Sequence, residues 1–212
     1  MAKSKRITFL AELTKGYHTV LDIGSDHGYV LLEALQKGYI KKGIASDIRV
    51  EPLMQAQKNL ENQDAKTILS DGFLNIHESF DCAIIAGMGA YLIGDILNHA
   101  PKDNITYILQ ANDKPEILRT YLMEHGFMIT DEFVVRDRFF YVIMKVKRGE
   151  MLLDSKDLIL GPILKYKSEA IPYFEKKIQM LSKLLNQVGE KRKQEIKELL
   201  TIYQSNLKQI HI

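Results

Sequence analysis

Short apolar runs alternate with longer amphipathic segments over roughly the first 150 residues of the chain. The runs are rich in Ile, Val and Leu and have the length of strands, whereas the segments between them have helical spacing. Apolar strands separated by helices indicate a parallel sheet covered on both faces. The predicted strands span 18–23, 43–47, 65–69, 80–86, 105–110, 128–135 and 139–146. The predicted helices span 6–15, 29–37, 51–62, 90–98 and 114–125.

The last two predicted strands are separated by residues 136–138 alone, a spacing that calls for a hairpin. The predicted fold of residues 1–150 is therefore a doubly wound α/β sheet whose last strand is antiparallel. Arg136 and Arg138 in this hairpin precede three aromatic residues. They either contact phosphates or guard the edge strand against pairing.

The pattern changes after about residue 150, where strand signals and most glycines disappear. Two helical repeats joined at Gly189 predict an antiparallel coiled-coil hairpin as a second unit, over 151–212. The surface of the hairpin is basic. That surface either contacts nucleic-acid phosphates, or is a solvated face or a dimerisation helix. The repeating apolar positions are Phe174, Ile178, Leu181, Leu185 and Val188, then Ile196, Leu199 or Leu200, Tyr203, Leu207 and Ile210.

Composition narrows the class of protein. The chain has 212 residues, 46% of them hydrophobic and 26% charged, with a formal net charge of +2. That charge is too small to indicate nucleic-acid binding unless it is unevenly distributed. The single cysteine excludes an internal disulfide, and no Cys/His cluster has the spacing of a metal site. No segment resembles a signal peptide or a membrane span, so we expect a cytoplasmic protein, either a monomer or a weak dimer.

The turn from Asp22 to Tyr29 follows the first strand and contains Gly24 and Gly28. Glycines at a strand-to-helix turn let the backbone approach a ligand closely. The spacing is D-x-G-x-D-x-G, not the G-x-G-x-x-G of nicotinamide-binding turns. Asp22 and Asp26 would repel a pyrophosphate and suit a positively charged ligand. The alternative is a structural turn whose acids cap a helix.

Three further strand ends carry candidate chemistry. Asp47 follows the glycine turn by about twenty residues, where an acid can accept hydrogen bonds from both hydroxyls of an adenosine ribose; capping a helix is the alternative. Asp71-Gly72 ends the third strand, although Asp-Gly is also a common turn. Residues 86–89 (Ala-Gly-Met-Gly) end the fourth predicted strand. Their glycines leave room for two ligands to meet, and a plain strand-to-helix turn is the alternative.

The glycine turn resembles motif I of class I S-adenosylmethionine (SAM) methyltransferases, with Asp26 at the middle glycine. Residues 22–29 (DIGSDHGY), 85–89 (IAGMG) and 109–112 (LQAN) together resemble the bacterial tRNA (adenine-22-N1)-methyltransferases. The family resemblance extends over essentially the whole chain. It implies a Rossmann-like methyltransferase domain at 1–150 followed by the helical hairpin, SAM as methyl donor, and N1 of a tRNA adenine as acceptor. Ala111 departs from the proline that is usual there, and the N/D-P-P-Y/F motif of many base amino-methyltransferases is absent.

The resemblance also implies roles for individual residues. The carboxylates at the strand ends face the ribose, the adenine amino group and the cationic methionine part of SAM. Tyr29 is a candidate for stacking on the target base, although a core position would explain it nearly as well, and the same holds for His27. Expected contacts to the cofactor are Asp22, Gly24, Ser25, Asp26, Gly28, Asp47, Ile48, Asp71, Gly72, Ala86, Gly87, Met88 and Gly89. Expected contacts to the target base are Asp26, His27, Tyr29, Gln110 and Asn112.

Two other classes remain open at this level. One is a SAM methyltransferase with a small-molecule or protein substrate, in which the hairpin is a lid or a dimer contact. The other is a nonenzymatic module that retains a SAM-binding fold. An affinity for tRNA that falls steeply with salt would argue against a small-molecule or protein substrate. The acids retained at the strand ends argue against a nonenzymatic module.

Overall fold

A computed structural model describes residues 4–210 of the chain, and over these residues seven strands form one sheet in the order β3-β2-β1-β4-β5-β7-β6. The first five strands run parallel, and β7 is antiparallel to both β5 and β6. The strands are β1 (Thr19–Ile23), β2 (Lys42–Asp47), β3 (Ala65–Leu69), β4 (Cys82–Met88), β5 (Thr106–Ala111), β6 (Phe127–Arg136) and β7 (Phe140–Arg148).

This topology confirms the doubly wound sheet with an antiparallel last strand. The antiparallel strand does not lie at the edge, because β7 inserts between β5 and β6, and β6 forms the edge. β4 starts two residues later and ends two residues later than predicted. Its register against β5 shifts between Ala86 and Met88, where Gly87 has a φ of +80°. The carboxyl end of β4 is thus bent beside β5.

Helices cover both faces of the sheet and bury two apolar layers against it. The five predicted helices are all present, with ends shifted by one to three residues. They are α1 (Lys5–Leu13), α2 (Tyr29–Gln36), α3 (Val50–Asn59), α4 (Ala90–Leu97) and α5 (Pro115–Glu124). Ser4 caps α1, and its hydroxyl also donates to Asp137 Oδ2 at 2.6 Å. This bond joins the start of α1 to the β6–β7 turn.

The C-terminal region contains α6 (Ser155–Leu160), two single turns of 3-10 helix (Leu164–Tyr166 and Ser168–Ala170), α7 (Ile171–Leu185) and α8 (Glu190–Ile210). α7 and α8 pack as an antiparallel helical hairpin that reverses at residues 186–189, and the Phe174 and Tyr203 ring centroids lie 5.9 Å apart. Val188 lies in the connecting turn. The domain boundary at 150/151 remains a prediction, since residues 151–170 form an additional segment before the hairpin.

The helical hairpin is joined to the sheet by core packing. Leu164, Tyr173 and Phe174 are buried in the same apolar layer as residues of β5 and β7. Glu132 of β6 accepts hydrogen bonds from the backbone N–H groups of Ile163 and Leu164, at 3.0 and 2.9 Å. The orientation of the hairpin is therefore set by buried contacts. Within residues 4–210, no helix is long and apolar enough to cross a lipid bilayer.

Candidate active site

A cleft of about 620 Å³ opens at the carboxyl ends of β1 to β4. Ligands bind at this edge of an open α/β sheet, near the point where the strand order reverses. Here the order reverses between β1 and β4. We call this the strand-end cleft; it is lined by the turns that follow these four strands and by Arg6, Ile7 and Leu10 of α1.

The glycine turn forms the floor of the strand-end cleft. Gly24 and Ser25 donate their backbone N–H groups to the Ser46 carbonyl, at 2.8 and 3.0 Å. Gly24 has a φ of +68°, and a Cβ there would lie 2.1 Å from the Met88 methyl group. Asp26 has a φ of +51°, a conformation that Asp tolerates better than most residues. Asp26 can therefore stand where related turns have glycine.

Two buried carboxylates face one another in the cleft. Asp22 and Asp47 are each only 4% exposed. Burial raises the pKa of Asp22 to about 7; the charge of Arg6 opposes this shift and that of Asp47 adds to it. Asp47 Oδ1 accepts the Arg49 backbone N–H at 2.9 Å and pairs with Arg49 Nε at 3.5 Å, and both contacts leave Oδ2 available to a ligand. Each of these buried carboxylates accepts fewer hydrogen bonds than it can. They therefore suit a ligand that supplies hydrogen-bond donors and a positive charge.

Other polar groups around the turn lack partners. Ser25 Oγ and His27 Nδ1 are buried and make no hydrogen bond within the described residues. The His27 ring meets Tyr29 edge to face, with centroids 5.6 Å apart, and Nε2 lies 3.7 Å from Asp26 Oδ1. The Tyr29 side chain is 47% exposed at the cleft, so its ring is available to a ligand. The core alternative for Tyr29 is not supported.

Arg6 is the site residue that our sequence analysis missed. Its Nη1 donates to Gln110 Oε1 at 2.9 Å, and its guanidinium carbon lies 5.2 Å from the Tyr141 ring centroid. Gln110 Nε2 in turn donates to Asn112 Oδ1 at 3.2 Å, and Asn112 Nδ2 donates to the Gly87 carbonyl at 2.7 Å. The chain of bonds fixes both amides. No local pattern connects residue 6 with residue 110, so the sequence carries no signal for it.

Most predicted site residues meet in the strand-end cleft, but four do not line it. Gly28 faces away, where a Cβ would lie 3.1 Å from Leu60 Cδ1. Gly89 begins α4 outside the cleft, and Gln110 and Asn112 reach it only through Arg6 and Gly87. The predicted residues that line it are Asp22, Gly24, Ser25, Asp26, His27, Tyr29, Asp47, Ile48, Asp71, Gly72, Ala86, Gly87 and Met88.

The cleft fits S-adenosylmethionine in size and chemistry. Its volume lies within the range of small-molecule sites. Its buried carboxylates can accept from ribose hydroxyls and from an ammonium group, and the bare Gly24 backbone admits close approach. Asp71 and Ile48, both exposed at the rim, can flank an adenine ring. Sheet and cleft together define a class I SAM-dependent methyltransferase.

Comparison with known proteins gives the particular family. The TrmK family model, described as tRNA (adenine(22)-N(1))-methyltransferase, matches residues 20–210. The chain belongs to this family, and it is therefore a SAM-dependent tRNA (adenine-N1) methyltransferase. The tRNA (adenine(22)-N(1))-methyltransferase of Bacillus subtilis (strain 168) is 28% identical to it over 219 residues, which cover 92% of each chain.

Solved structures of relatives agree over the whole chain. Streptococcus pneumoniae Sp1610 in complex with S-adenosyl-L-methionine superposes with a TM-score of 0.85 at 28% identity, covering 96% of this chain and 99% of that one. Mycoplasma capricolum TrmK in complex with S-adenosyl-homocysteine gives 0.84 at 27% identity, covering 99% and 100%. The expected cofactor is thus confirmed for the family.

Proposed function

We propose that this chain methylates N1 of adenine 22 in tRNA by holding SAM on the buried carboxylates and the target base beside Gly87. The pair of buried acids, Asp22 and Asp47, carries the proposal, because both lie at strand ends and both lack a full set of partners. Asp47 accepts from the ribose hydroxyls, and Asp22 faces the methionine ammonium. Asp71 accepts from the adenine amino group of the cofactor.

The bound cofactor supplies an electrophilic methyl group on a sulfonium. The N1 lone pair of the acceptor adenine lies in the ring plane and attacks without prior removal of a proton. Alignment of N1 with the breaking S–CH3 bond therefore provides most of the rate acceleration. Methylation leaves the adenine cationic, and the Asp26 carboxylate at the rim stabilises this charge as it develops.

In this proposal Gly87 orients the target base, and Asn112 fixes Gly87. The Gly87 carbonyl is an acceptor suited to the exocyclic amino group of adenine, which neighbours N1, and Asn112 Nδ2 holds this carbonyl by a hydrogen bond. Arg6 acts as a positioning residue: because it donates to Gln110 Oε1, the Gln110 amide must direct its nitrogen to Asn112. N1 lies on the Watson–Crick edge, so the base must leave its pair and stack, and Tyr29 provides an exposed ring.

The helical hairpin contributes phosphate contacts to the proposal. Two cations of the hairpin pair with acids, Arg192 with Glu195 and Lys193 with Glu190, and so do two in the segment that precedes it, Lys165 with Asp157 and Lys167 with Asp131. Lys176, Lys177, Lys183 and Lys191 form no ion pair within the described residues and remain for tRNA. The proposal includes a monomer or weak dimer acting in the cytoplasm, where its tRNA substrate is found.

The test is product mapping. The protein is incubated with methyl-labelled SAM and unmodified tRNA transcripts that carry either adenine or guanine at position 22, and the methylated nucleoside is identified by mass spectrometry. We expect 1-methyladenosine in the adenine transcript alone. Methyl on N6, on a guanine, or on no RNA would refute the assignment, and transfer to a small molecule or protein would support a different methyltransferase.

A further inference from the structure

A second cleft of about 650 Å³ lies on the far side of Asn112 from the strand-end cleft. Its walls are the loop after β5, the β6–β7 hairpin and the first turns of α7. The cleft therefore lies between the methyltransferase sheet and the helical hairpin. We call it the basic cleft. Its charged and aromatic lining consists of Asp113, Lys114, Arg136, Arg138, Phe139, Phe140, Tyr173, Glu175, Lys176 and Lys177.

The charge of the basic cleft is concentrated and uncompensated. Five cations and two carboxylates line it, a formal charge of +3, whereas the whole chain carries +2. None of the five cations pairs with an acid in the part of the chain that the structure describes, although cations elsewhere do so repeatedly. Cations left unpaired next to each other repel, and an anionic ligand relieves that repulsion.

Two helices add to the positive potential. α5 begins at Pro115 and α7 at Ile171, and both starts border the basic cleft through Pro115 and Pro172. The N-terminal ends of helices carry partial positive charge, although Pro115 and Pro172 themselves have no N–H to donate. They reinforce the five cations, and the combination favours phosphate.

Aromatic rings lie among the cations. Phe139 is 61% exposed, and the Arg138 guanidinium carbon lies 5.4 Å from its ring centroid. Arg136 lies 5.6 Å from the Phe140 ring, and Lys177 lies 5.5 Å from the Tyr173 ring. Of these three rings Phe139 is the exposed one, since Phe140 and Tyr173 pack into the core layer. An exposed ring between cations is typical of a site for an unpaired nucleotide, because every base has a face that can stack. An acidic peptide would satisfy the charges but would not use the rings.

Asn112 connects the two clefts. Its side chain lines the basic cleft, and its Nδ2 donates to the Gly87 carbonyl of the strand-end cleft at 2.7 Å. Lys114, two residues later, has a φ of +48°, a strained conformation for a residue other than glycine. Asn112 thus forms a wall common to both clefts, and Lys114 lines the basic cleft beside it.

We propose that the basic cleft holds the nucleotide adjacent to the target adenosine in the tRNA strand. Arg136, Arg138 and Lys176 bind its phosphate, and Phe139 stacks on its base. This inference rests on the proposed function, because it requires the target adenine to occupy the neighbouring cleft. It adds a subsite that reads the flank of the target, in which Lys176 and Lys177 act with Arg136 and Arg138, while Lys183 and Lys191 make the other phosphate contacts of the helical hairpin.

The first test is a double variant, Arg136→Gln/Arg138→Gln, compared with Lys41→Gln/Lys42→Gln, two exposed lysines at the amino end of β2. Affinity for full-length tRNA is measured by fluorescence anisotropy across a salt series. We expect on the order of tenfold weaker binding and a salt dependence reduced by about one unit per lost phosphate contact. Phe139→Ala should weaken binding at least about fivefold with an unchanged salt slope. The lysine control and the SAM affinity of every variant should stay at wild-type values.

The second test locates the subsite along the RNA. One phosphate at a time, on either side of position 22, is replaced by a neutral methylphosphonate. The substitution adjacent to adenosine 22 should weaken wild-type binding but leave the double variant unaffected, because the contact is already lost. Equal losses in both proteins, or a wild-type affinity that none of these phosphate substitutions changes, overturn the subsite. If the wild type does not methylate adenine 22 at all, the proposed function fails instead, and the two failures are thereby distinguished.

Discussion

Arg119 and Glu132 form an ion pair at 2.9 Å between Nε and Oε1, with side chains 1% and 0% exposed. Arg119 Nη1 also donates to the Leu158 carbonyl at 2.8 Å, and Glu132 Oε2 accepts from two backbone N–H groups after α6. The pair thus connects α5 of the methyltransferase sheet with the segment that leads into the helical hairpin. The pair thereby fixes the position of the segment before α7 relative to β6. Both α7 and the β6–β7 hairpin are walls of the basic cleft.

Glu132→Ala should destabilise the protein by about 3–5 kcal/mol, because it leaves the Arg119 guanidinium charged, buried and unpaired. Denaturant unfolding measures the change. Glu78→Ala is the matched control, since its 3.5 Å pair with Lys66 is exposed to solvent and should contribute little to stability. Similar losses in the two variants would show that the buried pair does not stabilise the fold.

Deletion of residues 162–212 should destabilise the whole chain. A hairpin that served only to contact tRNA could be removed without affecting SAM binding. The structure predicts instead that removing Leu164, Tyr173 and Phe174 exposes the apolar layer above the sheet. Thermal unfolding of the truncated chain should show a large loss of stability. An intact melting transition with full SAM affinity would contradict this.

Asp47→Ala should weaken SAM binding and leave tRNA affinity almost unchanged, because this acid faces the strand-end cleft and lies outside the basic cleft. Loss of an acceptor for a ribose hydroxyl pair is expected to cost on the order of tenfold or more in affinity. Calorimetric titration with SAM and anisotropy with tRNA separate the two effects. Asp95→Ala, at an exposed position on α4, serves as the control. Parallel losses of both ligands would contradict the role of Asp47.

SAM binding should depend on pH through Asp22. Its pKa is raised from 3.8 to about 7, so the free protein holds this carboxyl protonated below pH 7, and an ammonium ligand requires it ionised. Affinity should therefore rise between pH 5 and 7, where an α-amino group is still charged, with proton release that calorimetry detects in buffers of different ionisation enthalpy. Asp22→Asn should remove both effects. A pH-independent wild-type affinity would refute the assignment.

The same shift affects stability, with a definite sign. A carboxyl whose folded pKa exceeds its unfolded pKa stabilises the fold at low pH, and this contribution is lost as pH rises through the folded value. The free wild-type protein should thus lose stability between pH 4 and 7 relative to Asp22→Asn.

Arg6→Gln should lower kcat for tRNA methylation by about tenfold while changing the KM for tRNA little, since Arg6 orients Gln110 and Asn112 from outside the basic cleft. Arg6 also lowers the pKa of Asp22. Its removal should move the pH midpoint of SAM binding above the wild-type value, a change that a merely structural role would not produce. Arg6→Lys keeps the charge and should restore the midpoint but not kcat.

Local sequence patterns were sufficient to predict the strands, the helices and the glycine turn at the cofactor site. Apolar runs of strand length, helical spacing between them and Gly24 ahead of a helix are all readable over a few residues, because burial and backbone freedom act locally. The acids at strand ends followed from the topology, since parallel strands bring their carboxyl ends to one edge. Even the substitution of Asp26 for a glycine agrees with a residue type that tolerates positive φ.

Residues distant in the chain became neighbours only through the tertiary structure. Arg6 meets Gln110 because Ser4 and Asp137 anchor α1 to the β6–β7 turn, and the basic cleft exists because β7 inserts between β5 and β6 and presents that turn to α7. The tertiary structure likewise decided which cations of the basic hairpin form ion pairs with acids and which are left to contact tRNA. The sequence by itself thus determined the strands, helices and cofactor turn of this protein, whose causes lie within a few residues of each other. Folding decided which charges stay unpaired and which side chains share a cleft, because both depend on packing between segments that no local pattern relates.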